Sequence, residues 1–194
     1  MIKRETIFYL ALATLFGFGA AGWLIMRYLH DISPAVFLVG KAGIGYQVLV
    51  GVIYGSGAAL LGWRIVELPY LKPTMKFFAA LIRPLKLNIP EIVFISFCAG
   101  VGEEVFFRGA IQPYLGIWIT AVLFVAMHGY LNPFNLRISV YGLFMTLIIA
   151  GLGYLTIKLG LLSAIIAHTC VDIILLYKLS QTQSDYEEES FVDN

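Results

Sequence analysis

Apolar residues run through this chain in long blocks separated by short polar stretches. A helix needs about 20 apolar residues to cross a hydrocarbon layer about 30 Å thick. Six blocks meet that template, at residues 7–28, 43–65, 91–110, 114–130, 138–157 and 160–179. Only helices or closed barrels can cross a bilayer, and blocks of this length select helices. The expected fold is all-α and polytopic, with about six transmembrane helices of which the last four form the core. Glycines inside the blocks, such as Gly51, Gly55 and Gly57, read as points of close helix packing.

The stretches between and beyond the blocks divide the chain further. Residues 64–90, "RIVELPYLKPTMKFFAALIRPLKLNIP", contain four prolines that break continuous helix, and basic residues alternate there with aromatic and aliphatic ones. That pattern reads as an amphipathic connector lying along the membrane surface. The tail holds "DYEEES", acidic and poor in apolar residues, and reads as disordered. The resulting organisation is 1–90 (two spans and the interfacial segment), 91–179 (the core) and 180–194 (the tail).

Composition agrees with a bilayer. The 194 residues are 60% hydrophobic and 13% charged, where soluble domains carry roughly 45–50% and about 25%; mean hydropathy is +0.86. A net charge of +1 without a Lys/Arg-rich patch gives no footprint for nucleic acid. Cys98 and Cys170 lie in apolar runs and read as core residues, not a disulfide framework. The first block is too long for a signal-peptide core of roughly 7–15 residues, so it reads as a retained span. Lys and Arg at the block ends and between the blocks favour a cytoplasmic location for both termini, nine positions against three. The expected location is a prokaryotic cytoplasmic membrane.

Once the block ends are set aside, the ionisable groups left inside the blocks are Glu103, Glu104, Arg108, His128, His168 and Asp172. Asp, Lys or Arg at the bilayer centre costs about 2.5–3.5 kcal/mol on insertion scales, so such a cluster is a functional hypothesis by default. Glu104 and Arg108 are four residues apart, on one helix face, and can pair as a brace. Glu103 sits about 100° around the helix and faces a different neighbour. His168 and Asp172 again share a face. At 1.5 Å of rise per residue, Glu103, His128, His168 and Asp172 all reach roughly the middle third of the bilayer. His30, beside Asp31 in a loop, reads as an interfacial residue.

A carboxylate and an imidazole at one depth can hold and deprotonate a water, and a second polar pair can stabilise the oxyanion formed when water adds to a carbonyl. Amide hydrolysis fits these parts. No nucleophile stands out, since Ser96, Ser163 and Thr169 lack an evident paired base. Two His and one or two carboxylates also match the ligand set of catalytic zinc, so Glu103, His128, His168 and Asp172 are equally a candidate metal set, which spacing does not separate from a metal-free one.

At these residues the chain resembles the CAAX protease and bacteriocin-processing family of intramembrane peptidases, related to type II CAAX prenyl endopeptidase. A Glu-Glu-x-x-x-Arg motif matches Glu103, Glu104 and Arg108 in "GEEVFFRG"; Phe-x-x-x-His matches Phe124 and His128 in "FVAMH"; His followed by a polar residue four positions on matches His168 and Asp172 in "HTCVD". The resemblance implies an endopeptidase in which Glu103 and His128 activate water, Arg108 holds Glu104, and His168 with position 172 stabilises the oxyanion. A zinc-free glutamate mechanism is the favoured version. The implied partner is a peptide or protein substrate, membrane-anchored or prenylated in part of the family. The family's usual residue at the last position is Asn; Asp172, when ionised, accepts hydrogen bonds without donating, which weakens an oxyanion role and raises the metal version. Two other classes remain: a non-catalytic immunity or scaffold factor using the same cavity, and a proton-coupled transporter, for which no inverted repeat is evident.

Overall fold

The computed structural model describes residues 3–30 and 33–182. The described residues form helices and turns, without strands. Helix α1 runs over Arg4–Tyr28 with one wide π turn at Thr14–Phe18. Short α2 (Pro34–Val39) leads to α3 (Ile44–Val66), then α4 (Lys72–Ile82), which ends in a tight turn at Arg83–Leu85. Helix α5 (Ile89–Glu104) continues through a π turn at Val105–Ile111 into α6 (Gln112–Met127), followed by α7 (Leu136–Lys158) and α8 (Leu161–Gln181). The expectation for the tail falls on 183–194, outside the described residues.

Among the described residues five stretches are long and apolar enough to cross a membrane: Arg4–Tyr28, Ile44–Val66, Ile89–Met127, Leu136–Lys158 and Leu161–Gln181. The chain is an all-α polytopic membrane protein. Sequence counts six spans because it separates 91–110 from 114–130; in the fold the helix that starts at Ile89 runs on past Pro113, and a second arm begins after Gly116, whose backbone is non-helical with φ +72°. Phe107 meets Phe124 with ring centroids 4.9 Å apart. A straight helix would separate them by about 25 Å, so the chain folds back on itself. The return arm, 117–127, is shorter than the about 20 residues a crossing needs.

Local chemistry explains where α5 starts. Asn88 Oδ1 accepts from the Glu91 backbone N–H at 3.0 Å, and the Glu91 side chain accepts from the Asn88 N–H at 2.9 Å. With Pro90 in the first turn, this capping box fixes the entry of the helix that carries both glutamates. Arg4 of α1 pairs with the same Glu91, and Phe8 stacks on Phe94 at 5.9 Å, so α1 and α5 run parallel.

Small residues set how closely the helices approach. A β-carbon on Gly51 would strike the Ser163 carbonyl oxygen, and one on Gly55 the Ala167 backbone, so α3 and α8 pack backbone to backbone. Gly57, by contrast, faces open space, which corrects the packing role expected for it. Gly100 and Gly102 take opposite sides of α5: the first abuts Thr169 of α8, the second the Thr14 carbonyl in the π turn of α1. The segment that carries Glu103 and Glu104 is thereby clamped between α1 and α8.

Candidate active site

The clamp brings the glutamates against α8 and the folded-back arm. Glu104 is fully buried, and so is Arg108 one turn on. Arg108 Nε donates to Glu104 Oε2 at 2.9 Å, and its Nη2 lies 3.5 Å from Oε1. This is the brace expected from their spacing. The structure adds a partner that spacing did not indicate: His168 Nδ1 lies 2.9 Å from Glu104 Oε1. A carboxylate held by an arginine only accepts, so Nδ1 carries the hydrogen and the orientation of the His168 ring is fixed by Glu104.

With Nδ1 committed, His168 presents Nε2 to the rest of the cluster. Nε2 lies 3.5 Å from Asp172 Oδ2, as their i,i+4 spacing allows, and 4.0 Å from Glu103 Oε2. Glu103 Oε2 also lies 3.4 Å from His128 Nε2. His128 Nδ1 donates to the Phe124 carbonyl at 2.7 Å, which leaves its Nε2 as an acceptor when the ring is neutral. Glu103 Oε2 is buried and has no hydrogen-bond partner on the protein. An acceptor-only atom therefore sits between two imidazole nitrogens that point at it.

Exposure differs across the cluster in a way that sets roles. The His168 side chain is 6% exposed and that of Glu103 11%, whereas Asp172 is 30% and His128 35% exposed. Approach to the cluster is thus past His128 and Asp172, and the Glu104–Arg108 pair lies behind. Phe124 supports both imidazoles: it stacks on His128 at 4.3 Å and meets the His168 ring edge at 5.6 Å. Its ring also lies 5.6 Å from the Arg108 guanidinium.

Sequence reasoning missed Tyr130, whose ring stacks parallel to His128 at 6.2 Å. The signal was present in "HGY": Gly129 adopts φ +75°, which turns the chain after His128 and returns Tyr130 toward it. Ser163 and Thr169 donate their hydroxyls to backbone carbonyls of their own segments, and no base addresses them as nucleophiles. His30 donates through Nε2 to the Ala110 carbonyl at 2.9 Å and stacks on Tyr114, joining the end of α1 to the π turn of α5. Among the described residues no three His, Cys, Asp or Glu side chains are arranged to hold a metal ion.

Comparison with known proteins bears on the same residues. The model of the type II CAAX prenyl endopeptidase Rce1-like family matches residues 84–174, just under half of the chain. An uncharacterized protein of Bacillus subtilis, YpbD, is 38% identical over 56 residues, which cover 28% of this chain and 30% of that protein. No solved structure matches. The matched segment holds Glu103, Glu104, Arg108, Phe124, His128, His168 and Asp172 in one contiguous cluster, and over residues 84–174 the chain is similar to the type II CAAX prenyl endopeptidase Rce1-like family.

Proposed function

We propose that the protein is an intramembrane endopeptidase that cleaves a peptide bond with water activated by Glu103 and His128. The observation that carries this reading is the unpartnered Glu103 Oε2, 3.4 Å and 4.0 Å from the Nε2 atoms of His128 and His168. Two acceptors facing each other need hydrogens from a third party, and water supplies two. Glu103 takes one proton, the hydroxide adds to the substrate carbonyl carbon, and the carbonyl oxygen becomes an oxyanion. Glu103 then returns the proton to the amide nitrogen, the C–N bond breaks to give a carboxylic acid and an amine, and the acid's proton passes to the amine, so that a carboxylate and an ammonium leave.

Asp172 fits this scheme without acting as a donor. With His168 Nδ1–H given to Glu104, only a proton between Nε2 and Asp172 Oδ2 relieves the meeting of two acceptors at 3.5 Å. That proton makes His168 Nε2–H the donor to the oxyanion, and Asp172 the group that keeps it there. Glu104 and Arg108 position the ring. The substrate is a peptide or membrane-anchored protein presented at a prokaryotic cytoplasmic membrane, with both termini of the enzyme on the cytoplasmic side. The test is a comparison of membrane peptides from cells carrying wild type or Glu103→Gln: fragments that disappear with the variant support the reading, and identical peptide sets refute it.

A further inference from the structure

Past Asp172, away from Glu103, lies a cavity of about 180 Å³. Trp63 of α3, Met75 and Phe78 of α4, Tyr130 and Leu176 of α8 contribute to its wall, together with Asp172. Every other described lining residue is apolar or aromatic, so Asp172 is the charged group among them. Its shape is set by rings in edge contact: Phe78 lies 5.3 Å from Tyr130, and Tyr130 lies 5.8 Å from Tyr141.

We propose that this cavity is a side-chain pocket: it seats one bulky apolar side chain of the peptide next to the bond cut at Glu103, and Asp172 accepts a hydrogen bond from the backbone N–H of that residue. The proposal rests on the peptidase reading above. Three observations carry it. Asp172 belongs to both places, since its Oδ2 faces His168 Nε2 while the residue lines the pocket, so a group bound here lies beside the reacting centre. The volume falls below the ~300–1,000 Å³ of pockets that enclose whole drug-sized ligands, which selects a single side chain over a long lipid chain. One oxygen of Asp172 faces His168 Nε2, which leaves the other as an acceptor in the apolar wall, and a peptide N–H is the donor that accompanies an apolar side chain.

The same geometry locates specificity on α4 and α8. Phe78 and Leu176 limit the size of what enters, and one methylene in such a pocket changes discrimination roughly 10–200-fold. Helix α4 belongs to the amphipathic segment that sequence reads as a surface connector, and here it also supplies a wall of the pocket.

Binding can be read separately from cleavage. Full-length protein carrying Glu103→Gln, with Trp23→Phe and Trp118→Phe so that Trp63 is the sole indole, is placed in phosphatidylcholine nanodiscs. It is titrated with the N-acetyl amides of alanine, leucine and phenylalanine. The expected result is a saturable change in Trp63 fluorescence, about tenfold or more tighter for the leucine and phenylalanine amides than for the alanine amide. Leu176→Phe should weaken the larger ligands, and Phe78→Leu should favour the phenylalanine amide over the leucine amide. Equal response to all three amides, or selectivity untouched by both substitutions, overturns the pocket. So does quenching of Trp63 by brominated acyl-chain lipids without response to the amides, which would assign the cavity to a lipid tail. Size-selective binding combined with no peptide cleavage by the wild type would sustain the pocket and refute the peptidase reading.

Discussion

His168 Nδ1 lies 2.9 Å from Glu104 Oε1, and that contact joins the conspicuous buried ion pair of this protein to the candidate site. Arg108 holds Glu104, Glu104 holds His168, and His168 turns its other nitrogen toward Glu103 and Asp172. The order of these contacts separates groups that position from groups that react.

Removing one member of the buried pair leaves a charge without compensation. Arg108→Met is expected to destabilise the fold by about 3–5 kcal/mol, read from unfolding in mixed micelles. The double variant Glu104→Leu with Arg108→Met should recover most of that stability, because two apolar side chains replace two buried charges. It should stay inactive, since His168 has lost its anchor. A double variant with wild-type cleavage would remove Glu104 from the mechanism.

At position 172 the account distinguishes two substitutions. Asp172→Leu removes the partner that keeps a hydrogen on His168 Nε2 and should slow cleavage about 10²–10³-fold, the usual effect of losing one oxyanion donor. Asp172→Asn should retain most of the rate, because an Asn amide donates by itself. Comparable losses in both variants would mean that the carboxylate itself is required, as for a metal ligand.

Exhaustive chelation followed by elemental analysis addresses zinc. The glutamate mechanism expects unchanged cleavage in metal-free protein. Loss of activity restored by added zinc would overturn it.

Gly102 offers a test of the clamp around the glutamates. A β-carbon there would run into the Thr14 carbonyl, backbone on backbone, so Gly102→Ala should cost about 1–3 kcal/mol of stability. Gly57→Ala, directed into open space, should cost nothing measurable by the same unfolding assay.

Much of the candidate site's clustering was legible in sequence because helical spacing is regular. Rise per residue placed Glu103, His128, His168 and Asp172 in one layer, and they meet there. The link from His168 to Glu104 was not legible, since it depends on how α5 and α8 are rotated against each other, which Gly100 and the π turn at Val105–Ile111 determine. Sequence also ends one span at Ala110 and begins another at Tyr114. The helix instead runs through Pro113, just past the π turn where the regular hydrogen-bond ladder is already broken, and reverses only at Gly116. The pocket beside Asp172 could not be read at all, as its wall gathers residues from α3, α4, the turn after α6, α7 and α8.

The central claim is that Glu103 is the base that activates water. Purified wild type and Glu103→Gln in nanodiscs, supplied with a peptide identified from the cellular comparison, test it directly when cleavage rate and binding are measured together. The account expects unchanged binding and a rate lower by about 10²–10⁴-fold in the variant. Cleavage at the wild-type rate by Glu103→Gln would contradict it.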